Sequence, residues 1–160
     1  MKKIALILAV IALSVSALAQ DGKSIYNKYS NEEGVSAVYI SPAMFKLIGK
    51  IPEIKVEEDG VDLSPIIQSL TGMYILSSDN PKMCAQLRDE ASKFVKSKKY
   101  ELLMEAKEAG EAVKMYTIGN DKTVNGLVLL ASEKDEVSFI CLDGKMDRKQ
   151  FEETLAAMAK

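Results

Sequence analysis

The sequence predicts an α+β domain: a largely antiparallel sheet of about six strands, with a four-strand C-terminal meander and helices packed on one face. Two observations predict it. Three helix-start signals, Ser41-Pro42, Ser64-Pro65 and Asn80-Pro81, fall in the first half of the chain, with a short apolar strand before the first and another before the last. Residues 100 to 142 then alternate strand-like runs with turn chemistry and show no helical period.

The first nineteen residues stand apart from that domain. Lys2 and Lys3 lead into an apolar run from Ile4 to Leu13 and a small-residue ending, Ala17-Leu18-Ala19. That order is a secretory signal peptide with an A-x-A cleavage site. Residues 1–19 are therefore expected to be removed, leaving one domain over residues 20–160 in a periplasmic or secreted protein. The apolar run is shorter than the roughly 20 residues a spanning helix needs, so no stable membrane anchor is expected after cleavage.

Ile25, Tyr26 and Tyr29 lie at helical spacing within Ser24 to Asn31, and Gly34 ends that helix. Val35 to Ser41 reads as a strand buried on both sides, with Val38 and Ile40 on one face and Ala37 and Tyr39 on the other. Ser41-Pro42 opens a short helix through Phe45 and Leu47. Pro52, Glu57-Glu58-Asp59 and Gly60 make an exposed acidic loop of the stretch up to Asp62. Ser64-Pro65 opens a second short helix, and Gly72 to Ser77 forms a second strand. Asn80-Pro81 starts the longest helix, which runs to about Ser97 with Cys84, Leu87, Ala91, Phe94 and Val95 on one apolar stripe.

The meander begins at Tyr100, where Tyr100, Leu102, Met104 and Ala106 alternate with Glu101, Leu103, Glu105 and Lys107, one face core and the other mostly wet. A two-residue turn at Ala109-Gly110 would set Glu105 opposite Lys114 and Glu101 opposite Ile118. Ala112 to Ile118 follows, then Val124 to Ala131, whose Leu127-Val128-Leu129-Leu130 run marks a central strand. Val137 to Leu142 completes the sheet, and Asp143-Gly144 is expected to close the meander. Asp147 and Gln150 have capping-box spacing ahead of a last helix with Phe151, Leu155 and Met158 on its buried face.

Composition narrows the function classes. The 160 residues carry a formal net charge of −2, and loss of Lys2 and Lys3 would take it to −4. A mildly acidic surface argues against nucleic acid as a partner. Histidine is absent, which removes the usual general base, the commonest metal ligand and every Ser-His or Cys-His nucleophile. No catalytic, cofactor-binding or metal-binding constellation emerges. Glu101 and Glu105, four residues apart on one strand, would be roughly 13 Å apart, too wide for a carboxylate pair. Gly144-Lys145 lacks the Ser/Thr and the first glycine of a phosphate loop. The acidic run at 57–59 lacks EF-hand spacing, so weak calcium binding is all it could offer. Cys84 and Cys141 are a candidate disulfide in an oxidising compartment, although both lie on apolar stripes where a thiol packs well.

The stretch from Tyr29 to Gly49, YSNEEGVSAVYISPAMFKLIG, together with Tyr100-Glu101-Leu102-Leu103-Met104 and Asp143-Gly144-Lys145-Met146, resembles the DUF4252 family of small exported bacterial proteins. The resemblance covers nearly all of the chain after residue 19. It implies an envelope location and hints at envelope signalling or stress response, and it transfers no functional residues. Many relatives resemble lipoproteins with a cysteine at the cleavage site. This chain has Gln20 there, which implies a soluble periplasmic form.

Two groups remain as a candidate interaction surface. Tyr39, Tyr74 and Tyr116 sit on strands where an aromatic ring with a polar tip suits peptide or glycan contact, core packing being the ordinary alternative. Lys96, Lys98 and Lys99 lie near the end of the longest helix, where they also complement its dipole. The methionines, Met44, Met73, Met104, Met115 and Met158, read as ordinary packing. The expected function is a non-enzymatic binding or interaction module for an unknown protein or envelope component, using the solvent-facing side of the sheet or its loops. The alternatives are a self-associating structural protein, hence a homo-oligomer, and a carboxylate-dependent hydrolase.

Overall fold

The computed structural model describes residues 22–48, 55–56, 61–62 and 64–158. The expected signal peptide and the acidic run at 57–59 lie outside these. In chain order the elements are α1 (Gly22–Tyr29), β1 (Ser36–Ile40), α2 (Pro42–Ile48), β2 (Lys55–Val56), β3 (Val61–Asp62), α3 (Ser64–Ser69), β4 (Leu70–Ser78), α4 (Pro81–Ser97), β5 (Glu101–Glu108), β6 (Glu111–Gly119), β7 (Thr123–Ser132), β8 (Val137–Asp147) and α5 (Arg148–Met158). Six strands form one antiparallel sheet in the order β1-β4-β8-β7-β6-β5, and β2 and β3 pair separately. The fold is α+β, as the element order implied.

Local chemistry starts and stops the helices where the sequence placed the signals. Asn80 Oδ1 accepts from the backbone N–H of Lys82 at 3.0 Å and of Met83 at 3.2 Å, and Pro81 needs no partner at the first helical position. At the other end Lys99 adopts φ 58°, and the Tyr100 N–H returns to the Val95 carbonyl at 2.9 Å, a left-handed stop made without glycine. Asp147 Oδ1 accepts from Gln150 N at 3.0 Å to cap α5. Between β5 and β6 the turn is Ala109-Gly110, with φ 49° and 92°, both positive as a type I′ turn requires.

That turn fixes the hairpin register. Glu105 faces Lys114, their charges 3.0 Å apart, and Lys107 reaches the same carboxylate at 3.0 Å. A bulge between Leu102 and Met104 then shifts the ladder, so Glu101 faces Thr117 and not Ile118. The same bulge overturns the expected alternation. Leu102 pairs with Tyr116 and Met104 with Met115, which puts these two residues on opposite faces. All of β5 is exposed because it is the sheet's edge. β1 is the other edge, and Val38 and Tyr39 are exposed there in place of the burial on both sides that their alternation suggested.

The helices occupy both faces, where one was expected. On the first face Tyr74, Leu76, Val128, Leu130, Phe139 and Cys141 pack under α1 and α4. On the second, Phe45 of α2, Ile66 and Ile67 of α3, and Phe151 and Leu155 of α5 pack with Met73, Leu127, Leu142 and Met146. The physical reason is the length of β8. It runs on through Asp143-Gly144, where the meander was expected to close, and this extension pairs with Leu70 and Val124 to give the second layer of helices a floor.

Cys84 and Cys141 are both buried and not bridged. Cys84 Sγ lies 3.0 Å from the Ser78 carbonyl, at the end of β4 that pairs with Val137. Cys141 is four residues further along β8, about 13 Å at strand rise, whereas bridged Cα atoms lie within about 7 Å. Both side chains lie in the first hydrophobic core, the Cys84 thiol donating to the Ser78 carbonyl.

Helices α1 and α4 are joined by Lys28 and Glu90, 2.7 Å apart, and the Tyr29 hydroxyl donates to the same carboxylate at 3.2 Å. The Lys28 hydrogen bond holds the Glu90 carboxyl below its ordinary range and raises the Lys28 ammonium above its own. A depressed carboxylate contributes stability above its unfolded pKa and loses it as pH falls through the folded value. Glu90→Gln should therefore melt below the native chain at pH 7, with the difference closing below about pH 4; thermal melts across that range check it, and a constant difference would refute the ion-pair origin.

Candidate functional site

The antiparallel register lines up one side chain from every strand of the sheet. Val38, Ile75, Ile140, Leu129, Met115 and Met104 are successive partners from β1 to β5 and so project from the same face. This is the second face. Among the described residues its helices pack with the neighbouring row, Ile40, Met73, Leu142 and Leu127, and the apolar row itself belongs to neither core cluster. On the other flank of the apolar row runs a floor of smaller side chains, Ser36, Ser77, Ser138, Ala131, Val113 and Ala106. Neither row contains an ionisable group.

Five inter-strand spacings make the row about 24 Å long. Its two ends are the most open, Val38 at 49% and Met104 at 46% exposure, and the four residues between them are half-buried. Near the middle lies a cavity of about 260 Å³ lined by Met115, Leu127, Val128, Leu129, Ile140 and Leu142. At the β5 end Leu103, the bulge residue, is exposed as well, while Leu102 is exposed on the first face. An uncharged strip of this length on an open sheet face has the character of a contact surface, and two methionines let it adapt to the shape it meets.

The residues singled out from sequence lie elsewhere. Tyr39, Tyr74 and Tyr116 all point to the first face, beneath or beside α1 and α4. Tyr74 is 5% exposed, with its ring stacked on Tyr39 at 5.2 Å and flanked by Tyr26 of α1 at 5.8 Å, so it belongs to the core and offers no surface. Tyr39 keeps an exposed edge. Tyr116 is three strands away from Tyr74, about 14 Å. It shares a shallow groove with Lys96, Tyr100, Leu102 and Lys114, so the structure joins one predicted tyrosine to one predicted lysine. Lys98 and Lys99 form the end of α4 and the reversal after it and do not line that groove. In the groove Lys114, then Lys107, holds the Glu105 carboxyl below its usual range, and Glu105 raises Lys114 in return. Glu105 thus already compensates one of the groove's cations.

The methionines divide. Met73 packs with the second core, while Met44 and Met104 are about half-exposed, contrary to the packing expected for them. Met158 has no described side chain. Glu101 and Glu105 face opposite sides of the sheet because of the bulge, so they cannot act as a pair. Sequence reasoning missed the apolar row. Ile75, Ile140 and Leu129 sit on strands apolar on both faces, so alternation marks neither face as the open one. The one local signal was the turn at 109–110, whose register already sets Met104 opposite Met115.

A family model described as a domain of unknown function, DUF4252, matches residues 29–154. The chain belongs to the DUF4252 family. The matched span runs from the last residue of α1 into α5 and takes in all six strands of the sheet. Searches of curated proteins and of solved structures returned no match. Among the described residues of this DUF4252 chain no helix is long and apolar enough to cross a membrane.

Proposed function

We propose that the chain is an exported, non-catalytic interaction module that docks an apolar surface of a partner protein in the bacterial envelope onto the open row of its sheet. The observation that carries this reading is the uncharged row Val38–Ile75–Ile140–Leu129–Met115–Met104, which among the described residues belongs to neither core while the row beside it packs with helices. Its length exceeds what a small ligand would fill, and the absence of charge selects an occupant with its own apolar side chains. Export rests on Lys2-Lys3, the apolar run and Ala17-Leu18-Ala19; cleavage there leaves only Gln20 and Asp21 ahead of α1. The family resemblance adds the link to envelope signalling.

The test is a photo-crosslinking residue at Leu129 in the native host, with the same group at Lys134 in the β7–β8 loop as control. One discrete adduct is expected from position 129, reduced at least about 10-fold by Met104→Lys, which places a charge at the exposed end of the row without touching the core. Equal labelling from both positions, or an adduct indifferent to Met104→Lys, would refute docking on this face.

A further inference from the structure

The two edges of the sheet are not equivalent. β5 is blunted by its bulge at Leu103 and by Glu101, Glu105, Lys107 and Glu108, the devices that keep an edge from pairing. β1 has none of them. Ser36-Ala37-Val38-Tyr39-Ile40 carries no charge, no proline and no bulge, and its partner register with β4 is regular over all five residues. The chain leading into it is fixed, since the Ser78 hydroxyl donates to the Gly34 carbonyl at 2.6 Å and Val35 N–H to the Glu32 carbonyl at 3.2 Å. No strand among the described residues lies outside β1. Half of its backbone donors and acceptors therefore point away from β4 toward whatever can pair with them.

We propose that β1 pairs antiparallel with β1 of a second copy of this chain, about a two-fold axis at Val38, to make a continuous twelve-strand sheet. The side-chain sizes fit that symmetry. With Val38 opposite itself, Ala37 meets Tyr39 and Ser36 meets Ile40, so each large residue is set against a small one on both sides of the axis. On the first face Tyr39, already stacked on Tyr74 but 43% exposed, covers its free edge with Ala37 of the second copy. Charges agree too. Glu32 and Glu33 precede β1 and Lys46 follows it in α2, so antiparallel pairing carries the acidic approach of one copy toward the basic exit of the other. On the second face Val38 is the end of the apolar row, and the dimer joins two six-strand rows into one. The pairing itself rests on the edge strand and holds whether or not the row docks a partner.

The test is sedimentation of the purified protein over a concentration series. The native chain is expected to reach twice the monomer mass, Val38→Lys to remain monomeric because it sets two ammonium groups against each other at the axis, and Met104→Lys on the opposite edge to dimerise normally. Val38→Cys should form a covalent dimer on mild oxidation, while the native chain, whose two thiols are buried, should not. A native chain still monomeric at about 1 mM, or a dimer that survives Val38→Lys, overturns the proposal. If Val38→Lys fails to fold by circular dichroism, the Val38→Cys crosslink decides: a covalent dimer upholds the pairing and its absence refutes it. Loss of the partner adduct in Met104→Lys with the dimer intact separates this interface from the docking face.

Discussion

Phe139→Ala is expected to lower the unfolding free energy by about 4 kcal/mol. Phe139 is fully buried near the start of β8, between Leu76 of β4 and Leu130 of β7 in the ladder. Its ring meets Phe94 of α4 edge-on, with centroids 6.2 Å apart. Truncation leaves a cavity whose walls are two paired strands and a capped helix, none free to close on it, so the cavity adds to the lost transfer free energy. The neighbouring Ile140 points to the open face, where part of its side chain already meets water. Ile140→Ala should cost only about 1.5 kcal/mol. Urea unfolding of both variants, with an unchanged denaturant slope, tests the assignment of the two faces at once. Equal losses would mean that the row is covered in solution.

Gly119→Ala is expected to cost about 3 kcal/mol, a large loss for the addition of one methyl group. Gly119 ends β6, and a Cβ at this position would fall on the Thr123 carbonyl oxygen. That oxygen accepts from Asn120 N–H at 2.8 Å, and the Asn120 side chain accepts from the N–H groups of Lys122 and Thr123, both at 2.9 Å. The turn cannot yield without breaking its own bonds. Gly110→Ala is the informative comparison, because a Cβ there meets nothing within 4 Å and the cost comes only from φ 92°, about 1 kcal/mol. Thermal melts of the two variants separate steric from conformational cost, and a Gly119→Ala protein as stable as the native one would show that the β6–β7 turn relaxes.

Much of the architecture was legible in the residues because it is written in short-range chemistry. Asn80-Pro81 placed the start of α4, Asp147 the start of α5, and Ala109-Gly110 the hairpin that sets Glu105 against Lys114. These depend on hydrogen bonds and dihedrals spanning two to four residues, so they survive in any tertiary context. The family was legible too, through the segment at 29–49 and its companions. The contact surface was not. Alternation along β8 assigns Phe139 and Cys141 to one face and Ile140 and Leu142 to the other, yet all four are apolar and nothing local says which face a helix will cover.

The sequence by itself determined the α+β class, the helix starts, the hairpin register from the turn as far as Met104 and the absence of histidine chemistry. Only the tertiary structure decided that β4 and β8 pair across the chain, and that pairing leaves β1 and β5 as edges. It also decided that Tyr74 is buried under Tyr26, that the Leu103 bulge turns Leu102 and Met104 to opposite faces, and that the described helices of the second face pack on one of its rows and not on the next. The physical reason is range: a turn or a cap is settled by its neighbours, whereas exposure is settled by which distant segment arrives to exclude water.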